Sequence, residues 1–188
     1  MERFANWYQP TSTDVQQKAA KIKLLICDID GVFSDGSVYM SNAGEELKAF
    51  NTKDGFGLKA LMKTGVEVAV ITGRESKIVQ NRMTSLGVQH IFQGMETKLI
   101  GYNELRQLLN VAPYEVAFIG DDFPDVPVMQ EVGLSVSVAD AHPYVKEIAD
   151  YVTVTPGGKG AVRELTDLII MAQQGESFIT QHFEGSST

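Results

Sequence analysis

Three short apolar runs, each breaking off into a polar cluster, constrain this chain more than any other feature. "KLLIC" passes into "DIDG", "VEVAVI" into "TGR", and "EVAFIG" into "DDFPD". The runs are nearly continuous and do not alternate, so both faces of each strand must be covered. That pattern belongs to parallel strands buried between helices. Helical periodicity fills the intervals: Leu58, Leu61 and Met62; then Ile78, Val79, Met83 and Leu86; then Leu99, Tyr102, Leu105, Leu108 and Leu109. Alternating units of this kind predict an α/β fold, a doubly wound, mostly parallel, Rossmann-like sheet with right-handed crossovers. In such a sheet ligands gather beyond the carboxyl ends of the strands, where the polar clusters fall.

The expected elements are an entry helix over Thr13–Lys21 with Thr13 as its cap, a strand over Ile22–Cys27, and helices over Gly55–Thr64, Ser76–Leu86, Asp125–Val132 and Ala161–Gln173. Between the first strand and the first long helix, "SVYMSNAGEELKAFNT" reads as a β-hairpin inserted at about residues 37–51. No internal repeat or linker divides the chain, and 188 residues suit a single domain with a tail over about 175–188. The net charge of −8 argues against nucleic acid or an anionic membrane surface as partner. The lone cysteine, Cys27, and the lack of an apolar leader or membrane span point to the cytoplasm.

Four clusters converge on one sheet edge: Asp28 and Asp30; Thr72, Gly73 and Arg74; Lys98; and Asp121, Asp122 and Asp125. Carboxylates crowded this way repel, which calls for a cation, and hard oxygen ligands suit Mg²⁺. A carboxylate beside a metal can attack phosphorus to give an aspartyl-phosphate. A second carboxylate two residues on can protonate the leaving oxygen and then activate water. A hydroxyl and a lysine can hold the phosphoryl oxygens.

"DIDGVFSDG", "VITGR", Lys98 and "IGDDFPD" resemble, in order, the four motifs of the haloacid dehalogenase phosphatase superfamily. The resemblance covers Leu24 to about Gly160. It implies Asp28 as nucleophile, Asp30 as general acid/base, and Thr72 and Lys98 as phosphate-binding groups. It implies Mg²⁺ held by Asp28, the Asp30 carbonyl and Asp121, with Asp122 and Asp125 in support. The chain has no room for the large cap domain that many members carry, and capless members cover their sites by oligomerisation.

"FNTKDGFGLKAL", "GDDFPDVPVM", "VADAHP" and "GGKGAVREL" narrow the resemblance to the 3-deoxy-D-manno-octulosonate 8-phosphate phosphatases. That family implies hydrolysis of a phosphorylated sugar acid in lipopolysaccharide biosynthesis, and a homotetramer whose hairpins form a small barrel. Its substrate contacts match Asp30, Asn51, Thr52, Lys53, Asp54, Gly55, Lys59, Arg74, Arg82 and Lys98. Lys53 and Lys59 stand where arginine is the commoner family residue, keeping the charge but losing the bidentate fork.

Plainer roles compete at several positions. Arg82 also fits an exposed helix position, "GGKG" a turn before the last helix, His142 a loop or cap, and Cys27 the core. The tail reads as disordered, although the family's tail can enter a neighbouring site, and Phe178, Ile179 and Phe183 offer it apolar anchors. Three rival functions remain. The first is phosphatase action on another sugar phosphate. The second is a receiver-like module, disfavoured because its acceptor Asp would follow the third strand. The third is a non-catalytic tetramerisation module, disfavoured by the retained Asp30.

Overall fold

A computed structural model describes residues 1–178 and 180. Eight helices accompany eight strands among these residues. The helices are α1 (Glu2–Trp7), α2 (Thr13–Ala19), α3 (Thr52–Met62), α4 (Lys77–Leu86), α5 (Lys98–Leu108), α6 (Val126–Met129), α7 (Pro143–Ile148) and α8 (Ala161–Gln174). The strands are β1 (Leu24–Cys27), β2 (Tyr39–Met40), β3 (Glu46–Leu47), β4 (Glu67–Ile71), β5 (His90–Phe92), β6 (Val116–Gly120), β7 (Leu134–Ser137) and β8 (Tyr151–Val152).

Six strands form one sheet in the order β5-β4-β1-β6-β7-β8, parallel throughout. Strand β1 lies between β4 and β6, with Leu24 level with both Glu67 and Val116. The chain runs from β1 outward to β4 and β5, then crosses back to β6 on the other side. The winding therefore reverses at β1, and Asp28 is the next residue along.

The apolar runs behave as their composition requires. Every residue of β1, β6 and β7 is buried, so each strand is covered on both faces. Helix α3 packs along α8, and α5 packs with α6 and against β4. Cys27 is fully buried, and burial, with Asp54 and Asp28 nearby, pushes its thiol well above the ordinary range. It is a core residue, as expected.

Several boundaries differ from expectation. Helix α3 starts at Thr52, not Gly55, because the Asn51 side chain accepts the Lys53 N–H and caps the helix three residues earlier. Ser12, not Thr13, caps α2, accepting from Val15 N. The expected helix over 125–132 is a 3₁₀ turn at Phe123–Asp125 followed by the four-residue α6. Helices α1 and α7 were not anticipated; each is six residues long, too short to show a repeat of its apolar face.

The hairpin exists, but only Tyr39–Met40 and Glu46–Leu47 pair, outside the main sheet. Val38, Tyr39, Met40 and Leu47 are exposed along it. The tail is docked where it begins. Glu176 Oε1 accepts the Arg3 N–H at 2.8 Å, and it lies 3.1 Å from the N-terminal ammonium. Phe178 packs against the core, whereas Ile179 and Phe183 lie outside the described residues.

Candidate active site

Asp28 stands at the switch point because β1 ends there, its N–H donating to Ile119 O at 3.0 Å. Thr72 follows β4, Lys98 opens α5, and Asp121 follows β6, so a parallel register brings all three to one edge. A cleft of about 390 Å³ opens there, lined by Asp28, Asp30, Thr72, Arg74, Lys98, Asp121, Asp122 and Asp125 among others. The four sequence motifs thus meet in one cavity.

The geometry is organised around Lys98. Its Nζ lies 2.5 Å from Asp28 Oδ1 and 2.5 Å from Asp125 Oδ1, and all three residues are buried. Burial alone would lower the Lys98 ammonium, but the two facing carboxylates outweigh it and hold its pKa above the ordinary value. Asp125 uses its second oxygen to accept the N–H groups of Asp121 (3.0 Å) and Asp122 (3.3 Å), which shapes the acidic loop. One residue therefore places the lysine and fixes the neighbouring loop.

Glycines permit the close approaches. Gly31 has φ of +95°, and a Cβ there would fall 2.1 Å from Asp121 Oδ2. A Cβ on Gly157 would fall 1.7 Å from Gly31 O. The "GGKG" segment is thus a turn before α8, as expected, and it braces the loop that carries Asp30 and Gly31. His142 is likewise a loop and cap residue: its N–H donates to Asp121 O at 2.8 Å and its Nδ1 accepts from Tyr144 N at 3.2 Å.

Negative charge is in excess. Asp28, Asp121 and Asp125 each offer an oxygen within 4.8 Å of the others, against one buried ammonium. Burial, then the Asp28 and Asp125 charges, pushes the Asp121 carboxyl up to about 8. Burial and Asp125 also raise Asp28, against the pull of Lys98. Both shifts reflect burial first and crowded like charge second, with Lys98 offsetting them only in part. An all-oxygen donor set with surplus negative charge fits a hard divalent cation.

Not every expected substrate contact lies at the cleft. Asp30, Arg74 and Lys98 line it, but Asn51, Thr52, Lys53, Asp54, Gly55, Lys59 and Arg82 do not. Asp54 is engaged elsewhere in the fold. It is fully buried, and its Oδ1 accepts Arg163 N at 2.8 Å, capping the start of α8. Within the chain it is a helix cap, because α3 packs along α8 and brings it there. Lys59 is exposed on α3, and Arg82 packs beside Gly55.

One site residue was not anticipated. Lys48 of the hairpin sets its ammonium on Asp30 Oδ1 and lies 3.1 Å from Glu46, which meets Arg74 at 3.3 Å. Its only sequence signal is its place in "GEELKAF", on the returning arm of the hairpin, where a lysine between Leu47 and Ala49 reads as a solvated position.

The fold and this cleft define a hydrolase of the haloacid dehalogenase type, and the profile of the haloacid dehalogenase-like hydrolases matches residues 91–165. The chain is 55% identical over 166 residues to the 3-deoxy-D-manno-octulosonate 8-phosphate phosphatase KdsC of Yersinia pestis, covering 88% of this chain and 89% of that one. A crystal structure of the Yersinia pestis phosphatase superposes with a TM-score of 0.89 at 53% identity, covering 91% of this chain and 92% of that one. The Moraxella catarrhalis phosphatase, solved with magnesium, phosphate and KDO, superposes with a TM-score of 0.88 at 40% identity, covering 90% and 98%. The chain belongs to this family of haloacid dehalogenase-like phosphatases.

Proposed function

We propose that this chain is a magnesium-dependent phosphomonoesterase that releases phosphate from 3-deoxy-D-manno-octulosonate 8-phosphate through an aspartyl-phosphate on Asp28. The observation that carries the reading is the buried triad of Asp28, Lys98 and Asp125, set beside Asp30 and Asp121 at the switch point. The substrate is supported by the names of the relatives and by the sugar acid, phosphate and magnesium bound in the Moraxella catarrhalis enzyme.

The side chains of Asp28 and Asp121, with the backbone carbonyl of Asp30, would hold the magnesium ion. When bound, it supplies the positive charge that this cluster lacks and screens the nucleophile from the phosphoryl group. An Asp28 carboxylate oxygen forms the new bond to phosphorus as the bond from phosphorus to the sugar oxygen breaks. Asp30 gives its proton to the departing alkoxide. It then takes a proton from the water that attacks the aspartyl-phosphate, which restores Asp28 and yields inorganic phosphate. The Thr72 hydroxyl and the Lys98 ammonium would bind the phosphoryl oxygens, and Arg74 at the mouth would meet the sugar acid's carboxylate. Asp122 and Asp125 support the loop.

The same reading makes residues 1–188 one phosphatase domain, acting in the cytoplasm in lipopolysaccharide biosynthesis as a homotetramer. The exposed apolar hairpin supports self-association, since Met40 and Leu47 are 70% and 69% exposed. Asn51, Thr52, Lys53, Lys59 and Arg82, away from the chain's own cleft, would meet substrate where copies adjoin.

Phosphate release with Mg²⁺, measured over a panel of octulosonate 8-phosphate, other sugar phosphates and an aryl phosphate, tests the reading, with Asp28→Asn as the blank. A strong kcat/KM preference for the octulosonate ester, lost in the variant, is the expected result. A flat profile overturns the substrate, and activity surviving Asp28→Asn overturns the mechanism.

A further inference from the structure

The hairpin is open to solvent along most of its length, yet it buries one cation. Tyr39 is 52% exposed and Leu47 is 69% exposed, whereas the Lys48 side chain is 1% exposed. Burying an ammonium sacrifices hydration and most of the freedom of a long side chain, so it occurs where partners compensate. The partners here are Asp30 Oδ1 and Glu46 Oε1. Ser34 Oγ also reaches Asp30 Oδ1, at 3.5 Å, the outer limit of a hydrogen bond. Lys48 is therefore the main restraint on the Asp30 carboxylate. Glu46 extends the contact to Arg74, so the hairpin is tied to both rims of the cleft.

We propose that Lys48 is a positioning residue for Asp30, through which the hairpin sets the geometry of both proton transfers. This rests on the reading of Asp30 as the acid/base. Asp30 sits in the turn after β1, and among the described residues its carboxylate bonds only to Lys48 and Ser34, not to the sheet or a helix. A proton donor displaced by about 1 Å can cost roughly a hundredfold in rate. Lys48 supplies the restraint from an insertion instead of from the sheet, without needing to touch the substrate.

The test is Lys48→Met, with Lys48→Arg as the conservative variant, assayed with Mg²⁺ on a sugar phosphate and on an aryl phosphate. For the sugar phosphate, kcat should fall about 30- to 100-fold with KM changed less than about threefold. Lys48→Arg, which keeps a cationic donor, should recover to within about fivefold of the parent. The aryl phosphate gives a signature that general damage would not. A phenolate leaves without a proton, so its first-turnover burst should stay fast while steady-state turnover falls, because water attack still needs Asp30.

An unchanged kcat overturns the assignment. So does a loss confined to KM, which would make Lys48 a substrate-binding group, or a burst slowed in step with turnover, which would mean a collapsed site. If Lys48→Met does not retain the parent's melting temperature, Lys48→Gln carries the same test. A parent with no Mg²⁺-dependent phosphate release would sink the phosphatase reading itself, whereas an active parent beside an unimpaired Lys48→Met sinks only the role of Lys48.

Discussion

Two regions of this molecule bury carboxylates, and they do so in opposite ways. Along α8, Glu164 is fully buried and accepts from Tyr151 Oη (2.6 Å), Val154 N (2.9 Å), Thr155 N (3.0 Å) and Thr155 Oγ1 (2.6 Å). Asp167 nearby accepts from Tyr8 Oη and Arg163 Nε, each at 2.8 Å. Each of these four carboxylate oxygens meets at least one fixed donor. At the sheet edge, Asp28, Asp121 and Asp125 face one another around one ammonium. The first arrangement is complete without a ligand and serves the fold. The second is left short of positive charge, and that shortfall is what a metal and a phosphoryl group use.

The largest contrast is expected between one change in each region. Asp28→Asn should abolish turnover, by roughly 10⁴-fold or more, because it removes the proposed nucleophile. The same change should leave metal-free stability unchanged or raised, since it relieves repulsion. Kinetics and urea melts on one sample check both halves. A loss of stability in that variant would break the comparison.

Glu164→Ala should do the reverse. Four donors lose their acceptor, and the cost should be on the order of 3 kcal/mol. Denaturant midpoints read this, and activity per folded molecule should change far less than in Asp28→Asn.

Magnesium sharpens the contrast further. At about 100 times its dissociation constant it should stabilise the parent by about 2.7 kcal/mol. Asp121→Asn should lose most of that gain. Thermal melts with and without EDTA measure it, and equal stabilisation of the two proteins would remove Asp121 from the metal site.

The smallest effect lies between the two regions, at Asp54. Its Oδ1 caps α8, but its Oδ2 is buried without a partner. Burial pushes its pKa from 3.8 to about 6. Since the folded pKa is raised, the folded chain binds more protons than the unfolded one in this window. Its contribution to stability therefore falls as pH rises from about 4 through 6. Asp54→Asn keeps the capping oxygen and removes the charge. The difference in stability between parent and variant should grow across that window in the variant's favour. A difference independent of pH would show that Asp54 does not titrate there.

The fold was largely legible because its signal is local. Unbroken apolar runs such as "LLIC" and "VAFIG" demand cover on two faces, and their order with the intervening helices sets the sheet. The cluster at the sheet edge was legible for a related reason. In a parallel sheet, whatever follows a strand lies at the same edge, so Asp28, Thr72 and Asp121 converge by topology alone. The boundaries that moved, at α2 and α3, turned on which of several neighbouring polar side chains reached a free N–H. Adjacent candidates such as Ser12 and Thr13 do not differ enough to decide that.

What the amino-acid sequence by itself determined is thus the sheet, its switch point and the ordered motifs on its edge, since each follows from residues close together in the chain. Tertiary structure alone decided the fates of Lys48 and Asp54. Lys48 meets a carboxylate 18 residues away through a hairpin, and Asp54 caps a helix 109 residues away. Whether a charged side chain is solvated, paired or buried depends on what the fold sets beside it, and composition or periodicity near Lys48 and Asp54 carries no record of those distant partners.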